Sequence, residues 1–567
     1  MWNENQSWKE LDVYETVSRA KVPRGSKIFP LAEVYKRKWH AHQAFDKHKC
    51  RLVVWGHLME KGKHFFNTFA PTVSATTTRL FLAIAAAAKV TPASLDIRTA
   101  YLHARMDDRS IYAHRPIYAR LLDKSWEQID SLRSKAMKLP PAELQKLGKM
   151  KYDPQDPYVW RLKAFAYGHP EAAAAWHATF AKVMKTIGMK QSKVDPCLWF
   201  KVDHGLKVND AVDVGEHGYK GSFILAIAWV DDVPFCTNNK LWHKEFVDEI
   251  SKHLPIELES KITQFLGLEV DVKDNGAIEL TAKGLIKKTQ KRFEQEIEEY
   301  CKKRRNAKHA RTPYADQALL KAATDEEFRE AKHLPFAQIT GVLSYVANWV
   351  KLEMQTIVNM LSRYMSKYSR SHFEAALHAL IYAGNTSGRG VLYSPNTTFY
   401  GNNVLYGFAD ADLGSDESRR SRAGTIAMFN GAAISAKSRL KLVQVDTASA
   451  EITAANTSAM EIKGIRNILQ EIGLCQTKPT VIFEDNQACI TIANNAGSLQ
   501  SRTKHLDLKV YKIRELIQQG DVVLQYCITQ RQVADILTKL LPPTQFRVLS
   551  DRLCGYWVMW EDGIPPL

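Results

Sequence analysis

The chain has 567 residues, too many for one hydrophobic core, so two or more domains are expected. Hydrophobic residues make up 45% and charged residues 25%, an ordinary globular balance that excludes wholesale disorder. A formal net charge of +17 points to a polyanionic partner, nucleic acid before anionic membrane.

The opening "MWNENQSWKELD" is polar and carries no signal-peptide pattern. The longest uncharged apolar run, Leu80 to Ala88, is too short to cross a bilayer, so an intracellular protein that is neither secreted nor membrane-bound is expected. Eight scattered cysteines without a C-x-x-C pair predict reduced thiols rather than a zinc knuckle or a disulfide framework. Residues from about 50 to 120 read as short strands around a helix from Thr76 to Lys89. Tyr118 to Pro157 reads as a polar helical insertion broken at Pro140 and Pro141. A second α/β stretch runs from Tyr158 to Lys273. Thr281 to Asn306 predicts one basic helix with Ile286, Phe293, Ile297 and Tyr300 near one face, and three helices follow from Pro335 to Asn385. Strand-like segments at Leu405 to Asn430 and Thr480 to Glu484 flank a helix from about Ser449 to Ile472. This order predicts a separate α/β domain from about 400 to 550.

Two sets of acids interrupt this pattern. In "IAWVDDVPF", Asp231 and Asp232 follow the apolar run Ile224 to Val230. A tight turn between two strands accounts for such a pair, because Asp tolerates turn geometry. "SLDIRTAYLHARM" supplies a second strand-end acid, Asp96, with Tyr101 five residues on. Together, three carboxylates at adjacent strand ends make hard oxygen ligands suited to Mg²⁺. Two such ions about 4 Å apart activate an attacking hydroxyl and stabilise a leaving pyrophosphate. The second set is spread over strand, helix, strand and helix: Asp410 in "YGFADADLGSD", Glu451 in "TASAEITAA", Asp485 in "VIFEDNQACI" and Asp535 in "QVADILTK".

The blocks "KCRLVVWGHLMEKGKHFFNTFAPTVSATTTRLFLAIAA", "LDIRTAYLH", "WRLKAFAYG", "DPCLWF", "WVDD" and "FLGLEV" resemble, in order, those of copia-type (Pseudoviridae-like) LTR-retrotransposon Pol polyproteins. "SRTKHLDL" and "QVADILTK" continue the likeness to near the end of the chain. The resemblance implies a multidomain α+β and α/β fold, a right-hand polymerase followed by an RNase H-like domain. It implies fingers and palm over 1–275, a helical thumb and connection over 276–398, RNase H over 399–550 and a tail over 551–567. By the same resemblance Asp96, Asp231 and Asp232 form the polymerase metal-binding triad, and Tyr101 is the gate that favours dNTPs. Lys49, Arg51 and Glu171 fall at nucleotide-binding positions, while Asp410, Glu451, Asp485 and Asp535 are the metal-binding acids of the ribonuclease. The implied cofactor is Mg²⁺ or Mn²⁺. Template–primer, RNA–DNA hybrid and dNTPs are the implied partners, and a cytoplasmic particle or the nucleus the implied compartment. Expected activities are RNA- and DNA-templated DNA synthesis and hydrolysis of RNA in hybrids.

The chain departs from that family at several positions. Trp229 stands where relatives carry Tyr, and Pro234 where they carry an aliphatic residue. Glu171 replaces Gln, Ala173 and Ala174 replace Pro and Arg, and Ser449 replaces an acid next to Glu451. These changes raise two alternatives: a catalytically impaired or polymerase-dead, nucleic-acid-binding remnant, or an enzyme that retains only the ribonuclease. Without protease, integrase or nucleocapsid motifs, the chain is expected to be a piece of a larger polyprotein or an isolated reading-frame fragment.

Overall fold

The computed structural model describes residues 2–39, 45–106, 116–121, 158–203, 221–315, 320–395, 403–414, 418–441, 443–444, 446–495 and 507–556. Most of the insertion expected at 118–157, His505 in "SRTKHLDL" and residues 557–567 of the tail lie outside them. The fold is a multidomain mixture of helix and sheet.

A first, five-stranded sheet is ordered Tyr14–Ser18, Tyr158–Leu162, Tyr118–Leu121, Ile28–Trp39, Phe45–Val54. The helix Ala75–Ala87 (α1), which packs against Phe223–Ile227 and Ala432–Leu440, is capped by Ser74, whose hydroxyl accepts the Thr77 N–H at 3.0 Å. The apolar run from Leu80 is thus a core helix, buried nearly along its length. A second sheet of six strands is centred on β1 (Ala93–Ile97), β2 (Phe223–Ile227) and β3 (Asp232–Thr237), with β3 between the other two. Helix α2 (Ala172–Thr186) covers it, burying Trp176, Phe180 and Met184.

The basic segment after Thr281 is two helices, Lys283–Arg292 and Glu294–Lys303, where one was expected. Phe293 breaks it, with φ −110° and ψ 28°. Ile286, Phe293 and Tyr300 nonetheless share the buried side. The three helices expected downstream occur at Phe336–Trp349, Gln355–Ser362 and Arg370–Asn385.

The last sheet is ordered β6-β5-β4-β7-β8, built from β4 (Leu405–Asp412), β5 (Arg422–Phe429), β6 (Ala432–Leu440), β7 (Thr480–Glu484) and β8 (Val522–Tyr526). β4 runs antiparallel to β5 and parallel to β7. The helix α3 (Thr447–Glu471) crosses over from β6 to β7 and packs on β4 and β5. The sequence reading missed β6, whose Ala- and Ser-rich strand lacks the bulky alternation that marks a strand. That strand also joins this sheet to the rest of the molecule. The fully buried Arg79 of α1 donates from Nε to Ile434 O at 2.7 Å, and from Nη1 to Asn348 O at 2.8 Å and Trp349 O at 3.1 Å. Asn430 Nδ2 donates to Ala83 O at 3.1 Å. One continuous apolar core results, extending from α1 through the connecting helices into the last sheet. All eight cysteines are free. Among the described residues no helix is long and apolar enough to cross a membrane.

Candidate active sites

The acidic pair sits on a two-residue hairpin turn joining β2 to β3. Trp229 N–H donates to Asp232 O at 2.8 Å, and Asp232 N–H returns a bond to Trp229 O at 3.0 Å. The turn forces Val230 to φ 57°, a costly conformation for a β-branched residue. Trp176 on α2 holds it there, its indole N–H donating to Val230 O at 2.6 Å. Ile97 N–H donates to Asp231 O at 2.9 Å, so the neighbouring pair Asp232 and Asp96, in register across β3 and β1, is a non-hydrogen-bonded pair. That geometry brings facing side chains closest, and like charges there repel unless a cation intervenes.

Pro234 does lie in a central strand. Pairing of β3 with β2 is registered from Phe235↔Ala226 onward and again at Trp229↔Asp232, with no registered pair at Pro234. The proline removes one donor beside the turn. Its other side stays in register with Ser94 of β1.

Asp231 and Asp232 open on a cavity of about 580 Å³, lined also by Arg51, Ala100, Tyr101, Tyr167, Trp229, Val230, Leu266, Tyr345 and Trp349. Arg51 stacks over the Tyr167 ring at 4.9 Å, and Tyr101 meets that ring edge-on at 5.5 Å. Burial first, then the Asp231 charge, raises the Tyr101 hydroxyl pKa. Gly168 allows this wall: at φ 87°, its added Cβ would lie 2.2 Å from Val54 O. Lys49 lies on the strand Phe45–Val54, paired with Lys36, and its side chain is outside the described residues. Glu171 does not line the cavity. It is buried, and its Oε1 accepts the Asn67 N–H at 2.9 Å. The sequence reading set this carboxylate against a triphosphate; the structure gives it a backbone amide to anchor.

The second set of acids meets at one end of the last sheet. Register pairs Phe408 with Phe483 across the parallel strands, so Asp410 and Asp485, each two residues further, emerge side by side. Glu451 approaches from the first turns of α3. Oxygens of Asp410, Glu451 and Asp485 all lie within 4.8 Å of one another, the one such group of three or more among the described residues. Asp535 joins them from a short 3-10 turn, Val533–Leu537. Gly424, opposite Asp410 on β5, allows that approach, since an added Cβ would lie 2.9 Å from Ala534 O. Ser449 helps to start α3, its N–H and hydroxyl donating to Asp446 at 2.8 and 2.7 Å.

Burial, followed by the charges of Glu484, Asp410 and Asp485, pushes Glu451 up to about 10. Burial and then Asp410 push Asp535 up to about 7, and burial likewise raises Asp410. Oε2 of Glu451 is buried without a hydrogen-bond partner. Crowded acids of this kind, with an unpartnered buried oxygen, fit a divalent cation.

Four residues here escaped the sequence reading. Gln532 is fully buried and its Nε2 donates to Ala409 O at 2.8 Å and Phe483 O at 3.4 Å, fixing the strand ends that carry Asp410 and Asp485. The Thr538 hydroxyl donates to Asp410, and Lys539 Nζ lies 2.7 Å from Asp535 Oδ1. Glu484, buried behind the centre, is pushed far above the carboxylate range by desolvation. Gln532, Thr538 and Lys539 stand in "QVADILTK" and Glu484 in "VIFEDNQACI", but neither block marks what these side chains bond.

A model of the family "Reverse transcriptase (RNA-dependent DNA polymerase)" matches residues 12–135. Over 97% of its length the chain is 26% identical to the Pol polyprotein of transposon TNT 1-94 from Nicotiana tabacum, and over 92% it is 25% identical to that of transposon RE2 from Arabidopsis thaliana. The chain spans 37% and 31% of the length of these two relatives. A foamy viral protease-reverse transcriptase, solved in complex with double-stranded DNA, aligns over 93% of this chain and 69% of its own, with a TM-score of 0.47 and 11% identity. Over nearly its whole length the chain is thus similar to transposon Pol polyproteins, and residues 12–135 match a reverse transcriptase family model.

Proposed function

We propose that this chain synthesises DNA on RNA and DNA templates at the cavity beside the Asp231–Asp232 turn, and hydrolyses the RNA strand of hybrids at the four-acid centre. The observation that carries the reading is the cavity itself, which unites Asp231 and Asp232 with Arg51 and Tyr101 from distant parts of the chain. In this reading residues 1–275 are fingers and palm, 276–398 thumb and connection, 399–550 the RNase H-like domain and 551–567 a tail.

Asp96, Asp231 and Asp232 hold Mg²⁺ or Mn²⁺ at the turn. Bound there, a divalent cation stabilises charge on the phosphate and eases deprotonation of the attacking oxygen. Arg51, and Lys49 on the same strand, pair with the incoming triphosphate. Tyr101, backed by Tyr167, closes the space that a ribose 2′-hydroxyl would need. At the second centre Asp410, Glu451 and Asp485 hold the cation, with Asp535 completing the set. RNA–DNA duplexes are the partners that suit a chain of net charge +17, and their binding should weaken steeply with salt. A cytoplasmic particle or the nucleus is the compartment proposed.

Primer extension on oligo(dT)-primed poly(rA) with Mg²⁺ or Mn²⁺ tests the first activity, with Asp231→Asn as control. A folded, hybrid-binding sample that never extends the primer overturns it. Cleavage of a labelled hybrid, lost in Asp485→Asn, tests the second separately.

A further inference from the structure

Asp410 belongs to two groupings at once. On one side its carboxylate meets Glu451 and Asp485 within 4.8 Å. On the other stands Asp535, and the Lys539 ammonium lies between them, 3.4 Å from Asp410 Oδ1 and 2.7 Å from Asp535 Oδ1. The two acids are 1% and 2% exposed, whereas the lysine side chain is 37% exposed. Two buried carboxylates facing each other need a positive charge between them. Lysine supplies it as a compact point charge on a flexible stem. Among the described residues no lysine or arginine is paired with Glu451 or Asp485, and Glu451 Oε2 has no hydrogen-bond partner.

We propose that Lys539 is a built-in monovalent cation holding the Asp410–Asp535 side of the centre. One divalent ion then binds Asp410, Glu451 and Asp485 with the lysine in place, and a second binds between Asp410 and Asp535 only as Lys539 swings out. The inference rests on the reading of these acids as a cation centre. An ammonium offsets one of the two carboxylate charges, so it is exchangeable for a divalent ion and does not block one. Its partly exposed side chain has somewhere to go, and its attachment one turn from Asp535 keeps it at hand to return. Lys539 is a positioning residue in this scheme: it sets how many ions the centre carries, and at what concentration.

The test is calorimetric titration of Mn²⁺ into the full chain, in an Asp231→Asn, Asp232→Asn background that silences the other site. The parent is expected to bind one ion, abolished by Asp485→Asn. Lys539→Met should bind a second ion, or bind at least about tenfold more tightly at the Asp410–Asp535 side, as removal of a nearby like charge requires. Without metal its melting temperature should fall, and Mn²⁺ should recover it. Lys539→Gln provides the same loss of charge with a polar end should the methionine variant not fold, and Lys539→Arg should keep the one-ion behaviour. Equal ion number and affinity in the parent, Lys539→Met and Lys539→Gln overturns this proposal and leaves the cation centre standing. No Mn²⁺ bound by any of them overturns both.

Discussion

Asp410 and Gly424 stand directly opposite one another on β4 and β5, and the turn bearing Asp535 rests against the bare face of that glycine. An added Cβ would also lie 2.9 Å from Leu537 Cβ and 3.0 Å from Thr538 Cγ2. Gly424→Ala should push the turn outward at a cost of about 1–3 kcal/mol, the usual range for overpacking. Hybrid cleavage should drop at least about tenfold, since displacement of a reacting group by about 1 Å costs up to about 10²-fold. Primer extension, measured on the same preparation, should be unaffected.

Trp176 is the counterpart at the other site. Trp176→Phe keeps the apolar contact with Phe180 but loses the bond to Val230 O. The strained turn then relaxes, and the extension rate should fall about tenfold or more with little change in melting temperature. An unchanged rate would show that the acids keep their position without the indole.

Glu171→Gln separates anchoring from nucleotide contact. Because Glu171 is buried and accepts from Asn67, the change should leave the KM for dNTPs within about twofold and cost about 1–2 kcal/mol of stability, as for loss of a charged hydrogen bond. A large shift in KM, in either direction, would place the carboxylate at the nucleotide after all.

The acid centre also makes stability depend on pH. Glu451 titrates near 10 and Asp535 near 7 in the folded chain, above their ordinary values of 4.5 and 3.8. The folded state therefore holds protons that the unfolded state has released. This contribution is fully present below about pH 4, and it is lost as pH rises, through about 7 for Asp535 and about 10 for Glu451. In EDTA the melting temperature should fall between pH 5 and 9, and Mg²⁺ should flatten the profile. Asp535→Asn should remove the part of the decline that lies between about pH 4 and 7.

Much of this was legible in the sequence because strand-end acids announce themselves against apolar runs. Asp231 and Asp232 after Ile224–Val230 are of this kind, and so is Asp485 after Val481–Phe483. The helix α3 was legible from its periodicity to within two residues at its start. What supports the acids was not. Gln532, Trp176 and Gly424 act through the backbone carbonyls or the bare surface of distant segments, and no local pattern encodes such a partner. Glu171 shows the same limit: position in a motif suggested a ligand, while the structure shows a buried carboxylate that accepts the Asn67 amide. Phe293 splits a helix whose apolar spacing looks continuous, because spacing reports a buried face and not the dihedral angles between two segments.

Arg79 carries a consequence for how the whole chain would travel on a duplex. Its guanidinium ties α1, which lies behind the sheet of the Asp231–Asp232 turn, to β6 of the sheet that bears the other acids. The two chemical centres are thereby riveted to a shared frame and not strung on a tether. A duplex engaged at both would be measured by that frame as by a ruler, and cuts in its RNA strand should fall at one fixed number of base pairs behind the growing end.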